Sequence, residues 1–183
     1  VNLSSRQLQE QGFPNRVAQI LRETGLPPSS LVLEITESLL MRDVPDTLAA
    51  LRELESMGIR IALDDFGTGH SSLTQLHQLP FDELKLDRSY VSHCDAEHEA
   101  TAITLSAIEL GQRLGLKVVA EGIETPGQLE HLRLAGCDEG QGYLWAPAMP
   151  EAEFNAWLSN QSIEQRPLAV KANAVTTALG GQR

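Results

Sequence analysis

The sequence predicts an α/β fold whose parallel strands follow the plan of a (β/α)₈ barrel, and three observations predict it. Short β-rich runs alternate with helical patterns, each punctuated by Gly or Pro. A strand, a crossover helix and a further strand, repeated, make parallel neighbours, because parallel pairing needs such a connection. Strand after strand also finishes in a residue able to bind or react: Asn2, Glu34 with Glu37, Asp64 with Asp65, Lys85 with Asp87, Glu121 and Gln141. A barrel collects chemistry in this way, from the C-terminal ends of many strands around one mouth. A doubly wound sheet concentrates it at one switch point, usually beside a Gly-x-Gly-x-x-Gly turn, and that motif is absent from the sequence.

The elements follow in order. Val1 to Leu3 reads as the end of a strand, and a chain starting there in place of Met is expected to be part of a longer gene product. Phe13-Pro14 opens a helix with Val17, Ile20 and Leu21 on its apolar face, and Gly25 closes it. A strand at Leu31–Ile35 leads to a helix from Pro45 to Met57 carrying Leu48, Leu51 and Leu54. Arg60–Asp64 is the next strand, followed by a short helix near Ser71–Leu79 and a strand at Glu83–Leu86. A long helix over Glu97–Leu114 aligns Ile103, Ala107, Leu110 and Leu114. Lys117–Ala120 is a strand, Pro126 opens a helix, Glu139–Tyr143 is a strand and Glu151–Leu158 a final helix. Residues 161–183 lose all periodicity and read as a disordered tail behind a domain of residues 1–160. Six strands fall two short of eight, and 183 residues fall short of the roughly 250 of a typical barrel, so the first βα units are expected to be lacking.

Composition narrows the function. Against 14 Lys and Arg stand 25 Asp and Glu, a net charge of −11. Such a surface does not grip DNA, RNA or anionic lipid by general electrostatics, and an anionic ligand needs a metal or a local cation. No apolar run nears the roughly 20 residues of a membrane span, no charged leader precedes a short apolar stretch, and two cysteines make no disulfide framework. A cytoplasmic setting is the expectation.

Asn2, Glu34, Asp64, Asp65 and Glu121 are all oxygen donors, a hard-cation set rather than a zinc or copper set. Carboxylates crowded in one cleft repel, and bound Mg²⁺ or Mn²⁺ relieves the repulsion. Asp64 and Asp65 are adjacent, so both face the mouth only where regular strand alternation ends. There, one carboxylate is suited to bridging two ions roughly 4 Å apart, as in attack on a phosphate ester. Lys85 adds a positive group to orient water or balance phosphate charge. Taken singly, these residues have ordinary readings. Glu34 and Glu37 read as solvated strand-end residues, the Asp65–Gly69 stretch as a turn, Lys85 as a rim partner of Asp82 or Asp87, and Gln141 as packing between glycines. The five His residues lack ligand spacing, and Cys94 and Cys137 read as packing residues. The joint pattern carries the argument for chemistry.

Six motifs in order resemble those of the EAL domain family. They are Val1-Asn2-Leu3-Ser4, Leu33-Glu34-Ile35-Thr36-Glu37-Ser38, Asp64-Asp65-Phe66-Gly67-Thr68-Gly69-His70-Ser71-Ser72-Leu73, Lys85-Leu86-Asp87-Arg88, Ala120-Glu121-Gly122-Ile123-Glu124 and Gln141-Gly142-Tyr143. The resemblance runs from Val1 to about Leu158. It implies a modified TIM (β/α)₈ barrel that hydrolyses cyclic di-GMP to linear pGpG with two Mg²⁺ or Mn²⁺ ions. By position, Asn2, Glu34 and Asp64 would hold one ion, and Asp64 with Asp65 the second. Glu121 would serve the metal and water network or act as general base, Lys85 would fix the attacking water, and Gln141 would lie near metal and substrate. Glu37 would brace the loop after Asp65, where Thr68 and Gly69 support the site. Homodimerisation and upstream sensory or diguanylate-cyclase domains, through which the parent could be tethered to a membrane, are further implications.

Two departures matter. His70 stands where the family usually has Tyr, with little loss expected. The Glu-Ala-Leu stretch does not occur in the sequence, so a weak or inactive segment is expected from an active parent. The competing readings are a non-catalytic cyclic di-GMP receptor, an unrelated metal-dependent barrel enzyme acting on an enolisable acid, and a structural interaction module.

Overall fold

The structure, a computed structural model, describes residues 1–37, 39, 44–67, 79–94 and 98–160. The short helix expected near Ser71–Leu79 and the 161–183 tail lie outside the described residues, apart from Leu79, which sits in a bend. Strands β1 (Val32–Thr36), β2 (Arg60–Phe66), β3 (Glu83–Leu86), β4 (Lys117–Ala120) and β5 (Glu139–Gly140) form one five-stranded sheet in chain order. Every neighbouring pair is parallel. Asn2 adds a parallel bridge to Glu34, so the N-terminal strand expected at Val1–Leu3 is a one-residue contact. Sequential parallel strands joined by helices are the winding of a barrel wall.

The helices are α1 (Ser5–Leu8), α2 (Phe13–Thr24), α3 (Val44–Ser56), α4 (Arg88–Val91), α5 (His98–Arg113), α6 (Pro126–Leu134) and α7 (Glu151–Asn160). Two of the expected apolar faces need correction. Ile20 of α2 is half exposed while Phe13, Pro14, Val17 and Leu21 are buried. On α5 the buried stripe is Thr104, Ala107 and Ile108, and Ile103 is 45% exposed. Ala107, Leu110 and Leu114 do pack on the core as expected, and Gly111 lets the helix approach Val118 of β4 closely. Thr104 tolerates full burial because its hydroxyl donates to the Ala100 and Tyr90 carbonyls at 2.8 and 3.0 Å. The last expected strand, Glu139–Tyr143, stops after Gly140. Gly142 packs directly on the Ile123 backbone, and Ile123 N–H donates to the Gln141 carbonyl at 3.1 Å.

Alternation along the strands separates two faces. Leu33, Ile35, Ile61, Leu63, Leu84, Leu86, Val118 and Ala120 are buried and in register across the sheet, forming the core under the helices. Each large side chain hidden there contributes roughly 1.5–3 kcal/mol. The other face carries charge. Toward the strands' N-terminal ends, Arg60 pairs with Glu83 at 2.7 Å, and Lys117 lies 3.9 Å from Glu83 and 2.6 Å from Glu139. Two cations there face two carboxylates, a balanced layer.

Strand starts are fastened by a repeated device. Asp82 N–H donates to the Ile61 carbonyl while Asp82 Oδ2 accepts from Ile61 N–H, at 2.9 and 2.8 Å. Asp138 does the same with Val118, at 3.1 and 2.8 Å. A carboxylate thus replaces the carbonyl that a ladder would supply. Cys94 and Cys137 are buried, and burial pushes the Cys137 thiol up to about 11. Among the described residues no helix is long and apolar enough to cross a membrane.

Removing either aspartate carboxylate leaves a buried N–H without its acceptor, at a cost of about 1–3 kcal/mol. Asp82→Ala and Asp138→Ala are each expected to lower the urea unfolding free energy by that amount; wild-type midpoints for both would contradict the assignment.

Candidate metal centre

Further along the same inner face, two residues on from Glu83 in β3 and four on from Arg60 and Lys117, the charges no longer balance. Lys85, in the middle of β3 and 6% exposed, points its ammonium at Glu34 of β1 (2.9 Å), Asp64 of β2 (3.3 Å) and Glu121 just beyond β4 (2.5 Å). Glu121 also accepts from Gln141 Nε2 at 2.8 Å. One ammonium faces three carboxylates, an excess of two negative charges. Burial opposes the charge on Lys85, but hydrogen bonds to Glu121 and Glu34 more than offset it and raise its pKa. Burial pushes the Glu121 carboxyl upward despite the nearby Lys85. The rim partners open to Lys85 from sequence are engaged elsewhere. Asp82 binds Ile61, and Asp87 caps α4 by accepting from Ser89 N–H at 2.9 Å, a contact that lowers its pKa.

Asp64 and Asp65 lie inside β2, which continues to Phe66, rather than at a strand end after Asp64. Asp64 keeps its register with Thr36 of β1, and regular alternation is lost after it, where the β2–β3 register shifts between Leu63 and Phe66, a β-bulge that inserts one residue. Asp65 has φ 56°, the left-handed region that non-glycine residues enter at a cost. Its pKa is raised by burial and then by repulsion from Asp64 and Asp87. Behind it, the buried Glu37 carboxylate accepts from Gly67 N–H at 3.1 Å, fastening the turn that follows. Asn2 joins through the backbone: Leu3 N–H donates to the Glu34 carbonyl at 2.8 Å, and Glu34 N–H to the Val1 carbonyl at 2.9 Å. Thr68 and Gly69 lie outside the described residues.

Among the described residues no three His, Cys, Asp or Glu side chains converge by themselves on a point suited to a metal ion. The carboxylates meet around the Lys85 ammonium instead. The residues nevertheless fit hard divalent cations. Their donors are all oxygen, their charge exceeds the ammonium's by two, and buried Asp64 Oδ1 meets only the Lys85 ammonium at 3.3 Å, without hydrogen-bond geometry. A cavity of about 380 Å³ among Ala18, Leu21, Pro27, Pro28 and Met57 lies at the opposite ends of the strands and offers Arg22 as its one charged group.

Sequence reasoning missed the Arg60, Glu83, Lys117 and Glu139 layer, helix α4, and the roles of Arg88 and Tyr90 described below. Asp87 at a strand exit followed by Ser89 was a usable capping signal for α4.

The EAL domain profile matches residues 1–148. The bifunctional diguanylate cyclase/cyclic di-GMP phosphodiesterase MucR of Pseudomonas aeruginosa is 43% identical over 156 residues, 85% of this chain and 23% of that protein. The chain spans about a fifth of the curated relatives it matches. The structure of the MucR phosphodiesterase in complex with c-di-GMP superposes with a TM-score of 0.80 at 43% identity, covering 84% of this chain and 62% of that one. The Klebsiella pneumoniae BlrP1 manganese/cy-diGMP complex gives a TM-score of 0.75 at 28% identity, covering 80% and 38%. With its motifs, its parallel barrel wall and its strand-end carboxylates, this chain belongs to the EAL domain family.

Proposed function

We propose that this chain is the greater part of a metal-dependent phosphodiesterase domain that opens cyclic di-GMP to linear pGpG. The observation that carries the reading is the uncompensated charge around Lys85, on the inner face at the strands' C-terminal ends. Relatives named for cyclic di-GMP turnover, and related structures bound to that dinucleotide, support the choice of substrate.

Asn2, Glu34 and Asp64 would hold one Mg²⁺ or Mn²⁺ ion, and Asp64 with Asp65 a second. Such ions supply Lewis-acid stabilisation of the phosphate charge and lower the pKa of water. Lys85 orients the attacking water and balances charge on the phosphate. Glu121, whose carboxyl burial keeps basic for its type, accepts the water proton, and Gln141 fixes the orientation of Glu121. Water adds at one phosphorus, one ring P–O bond breaks, and the leaving ribose oxygen takes up a proton. Glu37 holds the Gly67 turn and so the backbone after Asp65. We assign the domain to residues 1–160 and expect it to form homodimers. Because residues 1–183 contain no Glu-Ala-Leu sequence, we expect turnover from a chain that supplies that strand and little from this segment alone.

In the intact protein, Mn²⁺ is expected to support conversion of cyclic di-GMP to pGpG, followed by chromatography, and Asp64→Asn to lower the rate about 10²–10³-fold, the scale of losing a central electrostatic group. Binding of the dinucleotide with no linear product would favour a receptor and end the enzyme reading. Lys85→Met is expected to lose turnover while binding Mn²⁺ at least as tightly as wild type by calorimetry, since the competing ammonium is gone; weakened Mn²⁺ binding would contradict this role.

A further inference from the structure

Helix α4 is a single turn after the central strand β3, and its side chains reach the loops on both sides. Tyr90 Oη donates to the Gly67 carbonyl at 2.5 Å, and the Tyr90 ring fills the space where a Cβ on Gly67 would sit. Gly67 has φ 96°, so it needs both that conformation and that bare flank. With Glu37 on its N–H and Tyr90 on its carbonyl, the Gly67 peptide groups are held from two sides, two residues after the left-handed Asp65.

On the opposite side, the aliphatic stem of Arg88 fills the corresponding space beside Gly122, with Cγ and Cβ at 2.5 and 2.8 Å from where a Cβ would stand. Gly122 has φ 72° and directly follows Glu121. Arg88 Nη2 donates to Glu124 at 2.6 Å. That ion pair is exposed and weak by itself, so the packing of the stem carries the contact. Gln128 adds a brace: its Nε2 donates to the Ser92 carbonyl at 3.1 Å, and its Oε1 accepts from Glu124 and Thr125 N–H at 2.8 and 3.0 Å. Helix α4 is itself fixed by the Asp87 cap and by Thr104 of α5 on the Tyr90 carbonyl.

We propose that α4 is a positioning bracket for the cation site. Tyr90 sets Asp65 through Gly67, and Arg88 sets Glu121 through Gly122. Both are positioning residues, and the inference rests on the reading of Asp65 and Glu121 as part of a divalent-cation site. The bracket explains why two carboxylates, one near the end of β2 and one just beyond β4, keep their places although the first occupies an unfavourable backbone region.

The test is Mn²⁺ affinity, by calorimetry and by the Mn²⁺ concentration giving half-maximal turnover of cyclic di-GMP, in the intact protein. Tyr90→Phe keeps the ring and removes the hydroxyl; Arg88→Ala removes the stem. Each is expected to weaken Mn²⁺ binding roughly fivefold to tenfold, the scale of one lost hydrogen bond or modest packing contact. Turnover should recover to within about twofold of wild type at saturating Mn²⁺, since the groups touching substrate are intact. A merely structural role would lower the melting temperature and leave Mn²⁺ affinity untouched, and that result in both variants overturns the bracket. Wild-type protein that ignores Mn²⁺ in the same titration overturns the underlying reading, and the bracket with it.

Discussion

The ammonium of Lys85, shared by Glu34, Asp64 and Glu121, is the contact on which the rest of the structure depends. It brings together β1, β2 and the exit of β4 around a side chain rooted in β3. Lysine carries one charge where three are opposed, so the same contact that joins the strands leaves them under electrostatic load. Nearer the strand starts, Arg60, Glu83, Lys117 and Glu139 balance. The two layers lie two to four residues apart on one face, and they differ in charge balance. A balanced layer holds strands together; an unbalanced one also attracts cations.

The local backbone serves this imbalance. A regular β2 would turn Asp64 and Asp65 to opposite faces. The bulge releases that constraint, and the left-handed Asp65 bears the backbone cost. Strain of this kind persists only where surroundings over-determine it, and Glu37, Tyr90 and the Gly67 turn supply that determination. The geometry of these carboxylates is therefore held by backbone clamps as well as by the charged groups themselves.

Much of this was legible in the sequence. The alternation of helices and strands and four of the strand cores followed from periodicity, and the convergence of Glu34, Asp64, Lys85, Glu121 and Gln141 from polar residues recurring at strand exits, but the short helices α1 and α4 did not. The helix faces were less legible. A stripe through Ile103 looks apolar, but the face of α5 is chosen by Gly111 and by a threonine able to satisfy its own hydroxyl, neither of which hydrophobicity reveals. The bulge was also hidden, because two adjacent aspartates do not say where the ladder slips. Lys85 illustrates the limit most clearly: chain proximity suggests Asp82 or Asp87 as partners, whereas β1, β2 and the exit of β4 supply the real ones.

The central claim is that the excess negative charge gathered at Lys85 is a seat for divalent cations. Counting Mn²⁺ ions bound to the intact protein by electron paramagnetic resonance, with and without Glu34→Gln, tests it most directly. The account predicts two ions per chain in the wild type and loss of at least one in the variant. Equal Mn²⁺ uptake by both proteins, or none by either, would contradict it.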